Sequence, residues 1–259
     1  MRAMRVDGID VRVYADKAAL GAAAAAYAAG VIRETIAGKG AARVVFATGA
    51  SQFEFLDALV PIEEIDWGNV TAFHLDEYVG IPVTHPASFR KYLRARLFDR
   101  VGPGAVHLLA GDAADVQAEC DRYASLLAAG PIDLACIGIG ENGHIAFNDP
   151  PVADFEDPVL VKAVALDEAC RRQQLGEGWF PTFEDVPTQA LTQTVPAILR
   201  AERISCVVPD ARKADAVAAA LGGPISPACP ASALRTHGKT VLWLDEPAAG
   251  KSSELRVQS

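Results

Sequence analysis

Two carboxylates, Asp76 and Glu77, stand side by side directly after the apolar run "NVTAFHL", and Tyr78 follows them. Acids at the end of a buried strand are costly to leave without a role, so one of the pair is a candidate base. The competing reading is a solvated or helix-capping acid in a loop. A second group lies in "IGIGENGHIAFNDPP", residues 137–151. His144 comes straight after a glycine there, and Asp149 follows a little further on. An imidazole beside a carboxylate can work as an acid/base pair, because the carboxylate fixes the tautomer and raises basicity. The competing reading is a histidine that satisfies loop carbonyls.

Two further stretches suit an anion. "ATGASQ" sets Thr48, Gly49, Ala50 and Ser51 in a small-residue turn opening a helix. N–H groups, hydroxyls and the helix dipole can hold a phosphate there, although an ordinary turn capped by Ser51 would read the same way. In "DARKADAV", Arg212 and Lys213 sit at a helix start, where the dipole disfavours cations unless an anion offsets it. A solvated first turn is the bland alternative.

Gly138, Gly140 and Gly143 spell G-x-G-x-x-G. A dinucleotide site needs a regular helix right after those glycines. Here Asn148, Asp149, Pro150 and Pro151 end any helix within about one turn, so neither NAD nor FAD is expected. The glycines, Gly143 among them, instead let the backbone pass close to a ligand while His144 and Asp149 reach in. No metal is expected either. His74 and Asp76 have no second His or Cys at ligand spacing. Cys120, Cys136, Cys170, Cys206 and Cys229 are scattered without a C-x-x-C pair, as free thiols in a reducing cytoplasm would be.

The elements that must position these groups alternate. Strands are expected around Val11, in "ARVVFAT", "NVTAFHL", "AVHLL", "IDLACIGIG", "VLVKAVAL", "RISCVVP" and "KTVLWL". Helices are expected over 17–37, around Phe55 to Leu59, in "ASFRKYLRARLFDRV" from Ser88, in "ADVQAECDRYASLLAA", across Leu191, Val195, Ile198 and Leu199, and in "RKADAVAAAL". This alternation predicts an α/β fold with right-handed βαβ units and helices on both faces of a mostly parallel sheet. Ligands of such folds bind beyond the carboxyl ends of the strands, where all four groups lie. The 259 residues carry no linker or internal repeat and read as one domain, 1–259. A net charge of -9 argues against a broad nucleic-acid surface. No apolar run is long enough to span a membrane, and the N-terminus lacks a signal-peptide pattern. A cytoplasmic protein for a small ligand is expected, with a monomer and a homo-oligomer both open.

Taken in order, "AFHLDEYVGIPVTHPASFRKYLRARLFDRV" and "IDLACIGIGENGHIAFNDPP", with "ATGASQ", "ARKADAV" and "LWLDEP", resemble the glucosamine-6-phosphate deaminase family, related in fold to the 6-phosphogluconolactonases. The resemblance implies a modified Rossmann-like three-layer sandwich without metal or nucleotide cofactor. It implies a sugar-phosphate substrate: a hexosamine 6-phosphate becomes a ketohexose 6-phosphate (fructose 6-phosphate) and ammonia. On this likeness Asp76 moves a proton from C2 to C1, and His144, supported by Asp149, opens the sugar ring. Phosphate lies on residues 48–51 and Lys213, joined by Arg172. Asn142 stands where the family often has Asp, and Asp149 where it usually has Glu. Two other readings remain. A 6-phosphogluconolactonase shares the glycine–histidine loop but continues unlike "IAFNDPP". A non-catalytic sugar-phosphate-binding protein would fit the missing carboxylate at Asn142.

Overall fold

The run "IDLACIGIG" has no polar alternation, and it supplies a strand covered on both faces. The computed structural model describes residues 1–176 and 178–250. In chain order its strands are β1 (Arg2–Val6), β2 (Ile9–Tyr14), β3 (Ala42–Phe46), β4 (Val70–His74), β5 (Asp76–Tyr78), β6 (Ala105–His107), β7 (Leu134–Ile137), β8 (Val161–Ala165), β9 (Gln189–Gln193), β10 (Ile204–Val208) and β11 (Thr240–Asp245). The main sheet runs β1-β2-β11-β10-β7-β3-β4-β6. It is parallel throughout except for the β1–β2 hairpin. β7 sits between β10 and β3 and is buried along its whole length, as a parallel strand under two helical layers must be.

Side chains alternate across the sheet with the period of a strand. Val44 and Phe46 of β3 meet one layer: α1 (Lys17–Lys39), α2 (Phe53–Leu59), and α3 (Phe89–Leu93), which runs on to α4 (Asp99–Val101). Val45 meets the other, built from α5 (Val116–Ala128), α7 (Val195–Leu199), α8 (Ala214–Gly222) and α9 (Glu246–Ala249). The result is a mixed α/β sandwich of three layers around a mostly parallel sheet, as expected. α1 starts where Asp16 accepts from the Ala19 N–H at 2.8 Å and stops at Gly40 with φ +83°. No helix of the described residues is long and apolar enough to cross a membrane.

Four local expectations change. β1 precedes the strand expected around Val11. Half-buried Met4 and Val6 alternate with exposed Ala3 and Arg5 over too few residues to stand out, and the stronger signal is the turn "VDGI", whose Asp7 has φ +47°. Asp76, Glu77 and Tyr78 are not a loop: they form β5, which pairs with β9, and β9 with β8, in a small antiparallel sheet. Leu191 lies on β9 and not on a helix, because Thr194 caps α7 and Pro196 takes its first turn. Ser51 is not the cap of α2. Residues Ala50–Gln52 make a 3₁₀ turn, and Ser51 Oγ accepts from Gln52 Nε2 at 2.9 Å.

The small sheet is locked to α3 by Glu77. This carboxylate is fully buried and accepts from Ser88 Oγ at 2.8 Å, from the Tyr78, Phe89 and Arg90 backbone N–H groups, and from Arg90 Nε at 3.2 Å. Arg90 also reaches Asp112 at 2.7 Å and the Ile81 carbonyl at 2.9 Å. Removing one member of a buried, hydrogen-bonded ion pair strands the other. Glu77→Ala is therefore expected to lower unfolding free energy by about 3–5 kcal/mol, read from denaturant unfolding; a loss below about 1 kcal/mol would contradict this lock.

Candidate active site

One cleft at the carboxyl ends of the strands, with about 270 Å³ of accessible space, gathers most of the expected residues. Thr48, Gly49, Ala50, Ser51, Asp76, His144 and Lys213 all line it. The turn after β3 is held open by Gly49 at φ +94°, and the Tyr92 hydroxyl donates to its carbonyl at 2.9 Å.

β5 separates the two acids. Neighbours on a strand point to opposite faces, so Glu77 turns into its lock while Asp76 faces the cleft, 7% exposed. Phe89 and Phe147, their rings stacked 5.8 Å apart, line the same cleft. Burial, and then the charge of Glu77, push the Asp76 carboxyl well above the usual carboxylate range. His74, just before it, is structural. Its Nε2 accepts from the Leu109 N–H at 2.7 Å, and burial followed by Arg90 lowers its pKa to about 3.

The glycine loop serves the histidine. A Cβ on Gly140 would lie 2.2 Å from the His144 ring, so the space that glycine clears belongs to the imidazole and not to a ligand. Gly143 does not line the cleft. It has φ +86°, and a Cβ there would meet Cys229 Sγ at 2.8 Å. His144 Nδ1 lies 2.9 Å from Asp149 Oδ1, off the axis of a straight hydrogen bond, which leaves Nε2 for the cleft. Asn142 bonds the loop and not the ring: its Oδ1 accepts from the His144 backbone N–H at 3.0 Å, and its Nδ2 donates to Asp149 Oδ1 at 2.8 Å. Burial alone would raise the pKa of Asp149. The imidazole, the Asn142 amide and the Cys170 thiol outweigh it and hold the carboxyl below its ordinary value.

The cations also differ from expectation. Lys213 is 7% exposed in the cleft wall, joined there by Arg212 of the same expected stretch and by Lys17, which no motif singled out. Lys17 pairs with Glu54 at 2.8 Å, and Arg212 with Glu141 at 3.6 Å. Arg172 does not reach the cleft. It turns to solvent and pairs with Glu168, one helical turn back on α6 (Glu168–Gly176). Gln173 and Gln174 of the same helix line the cleft in its place. Asp210 opens the Arg212 turn at φ +88°, a strained backbone for a residue with a side chain. Its N–H donates to both oxygens of Asp245 at 3.1 Å, which gives the "LWLDEP" stretch a structural role.

The fold also brings the ligand atoms of His144, Asp149 and Cys170 within 4.8 Å of one another. Such a set could hold a soft divalent ion, a grouping the spacing did not reveal. Burial pushes the Cys170 thiol strongly up, which disfavours the thiolate that a metal needs.

A family model described as glucosamine-6-phosphate isomerases/6-phosphogluconolactonase matches residues 15–243. A glucosamine-6-phosphate deaminase of Bacillus cytotoxicus is 36% identical over 224 residues, 86% of this chain and 83% of that protein. One from Bacillus thuringiensis matches at the same identity and coverage. A solved structure described as a monomeric glucosamine-6-phosphate deaminase is similar at a TM-score of 0.85 and 33% identity, covering 93% of this chain and 98% of that one. A 6-phosphogluconolactonase from Trypanosoma brucei shares the fold, with a TM-score of 0.75 at 18% identity over 93% and 97% of the two chains.

Asn142→Asp would set a second carboxylate against Asp149, and one of the two must then keep a proton. The pair's folded pKa rises above the unfolded value of about 3.9. The variant is then expected to match the wild type near pH 4 and to fall behind by about 1–3 kcal/mol as pH rises through the raised value. Unfolding curves at about pH 4 and 8 check this, and an equal deficit at both would count against the Asn142–Asp149 match.

Proposed function

Since the chain belongs to the glucosamine-6-phosphate isomerase/6-phosphogluconolactonase family, we propose that its cleft converts a hexosamine 6-phosphate and water to a ketohexose 6-phosphate and ammonia. The observation that carries this reading is the meeting of Asp76, His144 and the turn at residues 48–51 in one cleft. The phosphate sits on that turn, with Lys213 beside it and Lys17 and Arg212 at the rim. Arg172 plays no part.

His144 acts first. With Nδ1 against Asp149, its Nε2 moves a proton from the anomeric hydroxyl to the ring oxygen, and the open-chain aldehyde results. Asp76 then takes the proton from C2 as the carbonyl oxygen at C1 gains one from the substrate's own ammonium group, giving an enolamine with a neutral amine. The same carboxyl returns its proton to C1, which leaves an iminium at C2. Water adds there and ammonia departs, so C2 ends as the ketone. One side chain near both carbons suffices for the transfer, and a raised pKa makes ionised Asp76 a stronger base than an exposed carboxylate. Every proton moves through a side chain or the substrate itself.

The lactonase branch of the family differs in the bond it breaks, and the continuation "IAFNDPP" after the histidine favours the deaminase branch. Incubation with glucosamine 6-phosphate or galactosamine 6-phosphate is expected to release ammonia. Silence with both, together with hydrolysis of 6-phosphogluconolactone above its spontaneous rate, would move the protein to the other branch. Asp76→Asn is expected to lower ammonia release by about 10²- to 10⁴-fold with the fold intact. Asp76 must be ionised to accept the C2 proton, so kcat/KM should climb with pH through an acid limb above about 3.9. A pH–rate profile without that limb would remove Asp76 from the role of base.

A further inference from the structure

The proton relay and the phosphate turn account for C1, C2, the ring oxygen and C6 of the sugar, and leave the hydroxyls on C3 and C4 without partners. Burying a sugar hydroxyl without one is unfavourable. Much of the remaining wall cannot help, since Leu75, Phe89, Ile139, Ala146 and Phe147 are apolar. Gln174 can. It lines the cleft and is 6% exposed. It lies two positions beyond Arg172 on α6, about 200° round the helix, so one faces solvent while the other faces inward.

The Tyr78 hydroxyl decides what Gln174 can offer. It donates to Gln174 Oε1. Tyr78 is itself fixed, with its ring 4.9 Å from Phe89, 5.2 Å from Phe147 and 5.3 Å from Phe180. With the amide oxygen engaged, the side chain has N–H donors to give. Resting on the deaminase reading, we infer that Gln174 recognises the sugar itself: its Nε2 donates to the hydroxyl oxygens in the middle of the chain, at C3 or C4, and Tyr78 holds the amide in the orientation that does so. Gln174 is a specificity residue for polyhydroxy six-carbon phosphates, and Tyr78 is its positioning residue.

The test uses 2-amino-2-deoxyglucitol 6-phosphate, which keeps both hydroxyls but has no carbonyl and cannot react. Calorimetry on the full chain gives its affinity, and inorganic phosphate, followed by thermal shift, reports the phosphate end alone. Gln174→Leu and Gln174→Glu are each expected to weaken the hexitol phosphate by about 10- to 100-fold and leave the phosphate response unchanged. Gln174→Glu is the telling variant, because it keeps an acceptor for Tyr78 but loses the amide donor. Tyr78→Phe frees the amide to turn and should weaken binding by about 3- to 10-fold. Wild-type affinity in Gln174→Glu, or an equal weakening of phosphate and hexitol phosphate in both Gln174 variants, would overturn the inference. A wild type that binds the hexitol phosphate but releases no ammonia from hexosamine 6-phosphates would overturn the deaminase reading and leave Gln174 standing.

Discussion

The reactive end of the cleft depends on one buried carboxylate that takes no part in the proposed chemistry. Glu77 has no exposure and is saturated by donors from α3 and from its own strand. An anion so placed is tolerable only because those donors and Arg90 replace its water. They fix β5 against α3, and β5 presents Asp76 on its opposite face. The same arrangement gives adjacent acids opposite fates. Glu77 is satisfied by hydrogen bonds; Asp76 is buried under the field of Glu77, and its proton is correspondingly hard to remove.

The glycine–histidine loop applies a similar economy of partners. Gly140 yields its side-chain volume to the imidazole, and Asn142 bridges the His144 backbone and Asp149. A carboxylate at Asn142 could not donate to Asp149, so the amide is matched to the short acid beyond it. Asn148 closes the same loop by donating to the Ile145 and Gln193 carbonyls, each at 2.8 Å. The histidine therefore rests on groups from the main sheet's loop and from β9 of the small sheet together.

The main sheet was legible because its strands are continuous apolar runs and its helices are periodic. The four cleft-lining stretches were legible because each directly follows a strand. Of the small sheet only β8 was, from "VLVKAVAL". "DEY" is too short to show alternation, and Leu191 fits helical spacing by coincidence with Val195 and Ile198. The position of Arg172 was equally hidden, since only the phase of α6 decides which of neighbouring polar residues turns inward. Lys17 was missed for another reason: it opens a helix far upstream of the turn it joins, and no spacing links the two. The glycines were recognised as making room, but what fills that room is the imidazole, a fact that needs the loop's path.

The small sheet and α6 matter because a parallel sheet alone offers only an open crevice at its strand ends. Such a crevice suits a ligand held by its phosphate. Proton transfer at carbon asks for more, since a carboxylate bathed in water is a weak base toward a C–H bond. β5, Phe89 and Phe147 wall Asp76 off, and α6 adds Gln174 to the same wall. The layer that sequence periodicity largely conceals is thus the one that turns an open crevice into a site with a perturbed acid. Each polar atom buried in that layer needs a partner. That constraint links the Glu77 lock, the Asn142–Asp149 pair and the Tyr78–Gln174 bond in one physical scheme.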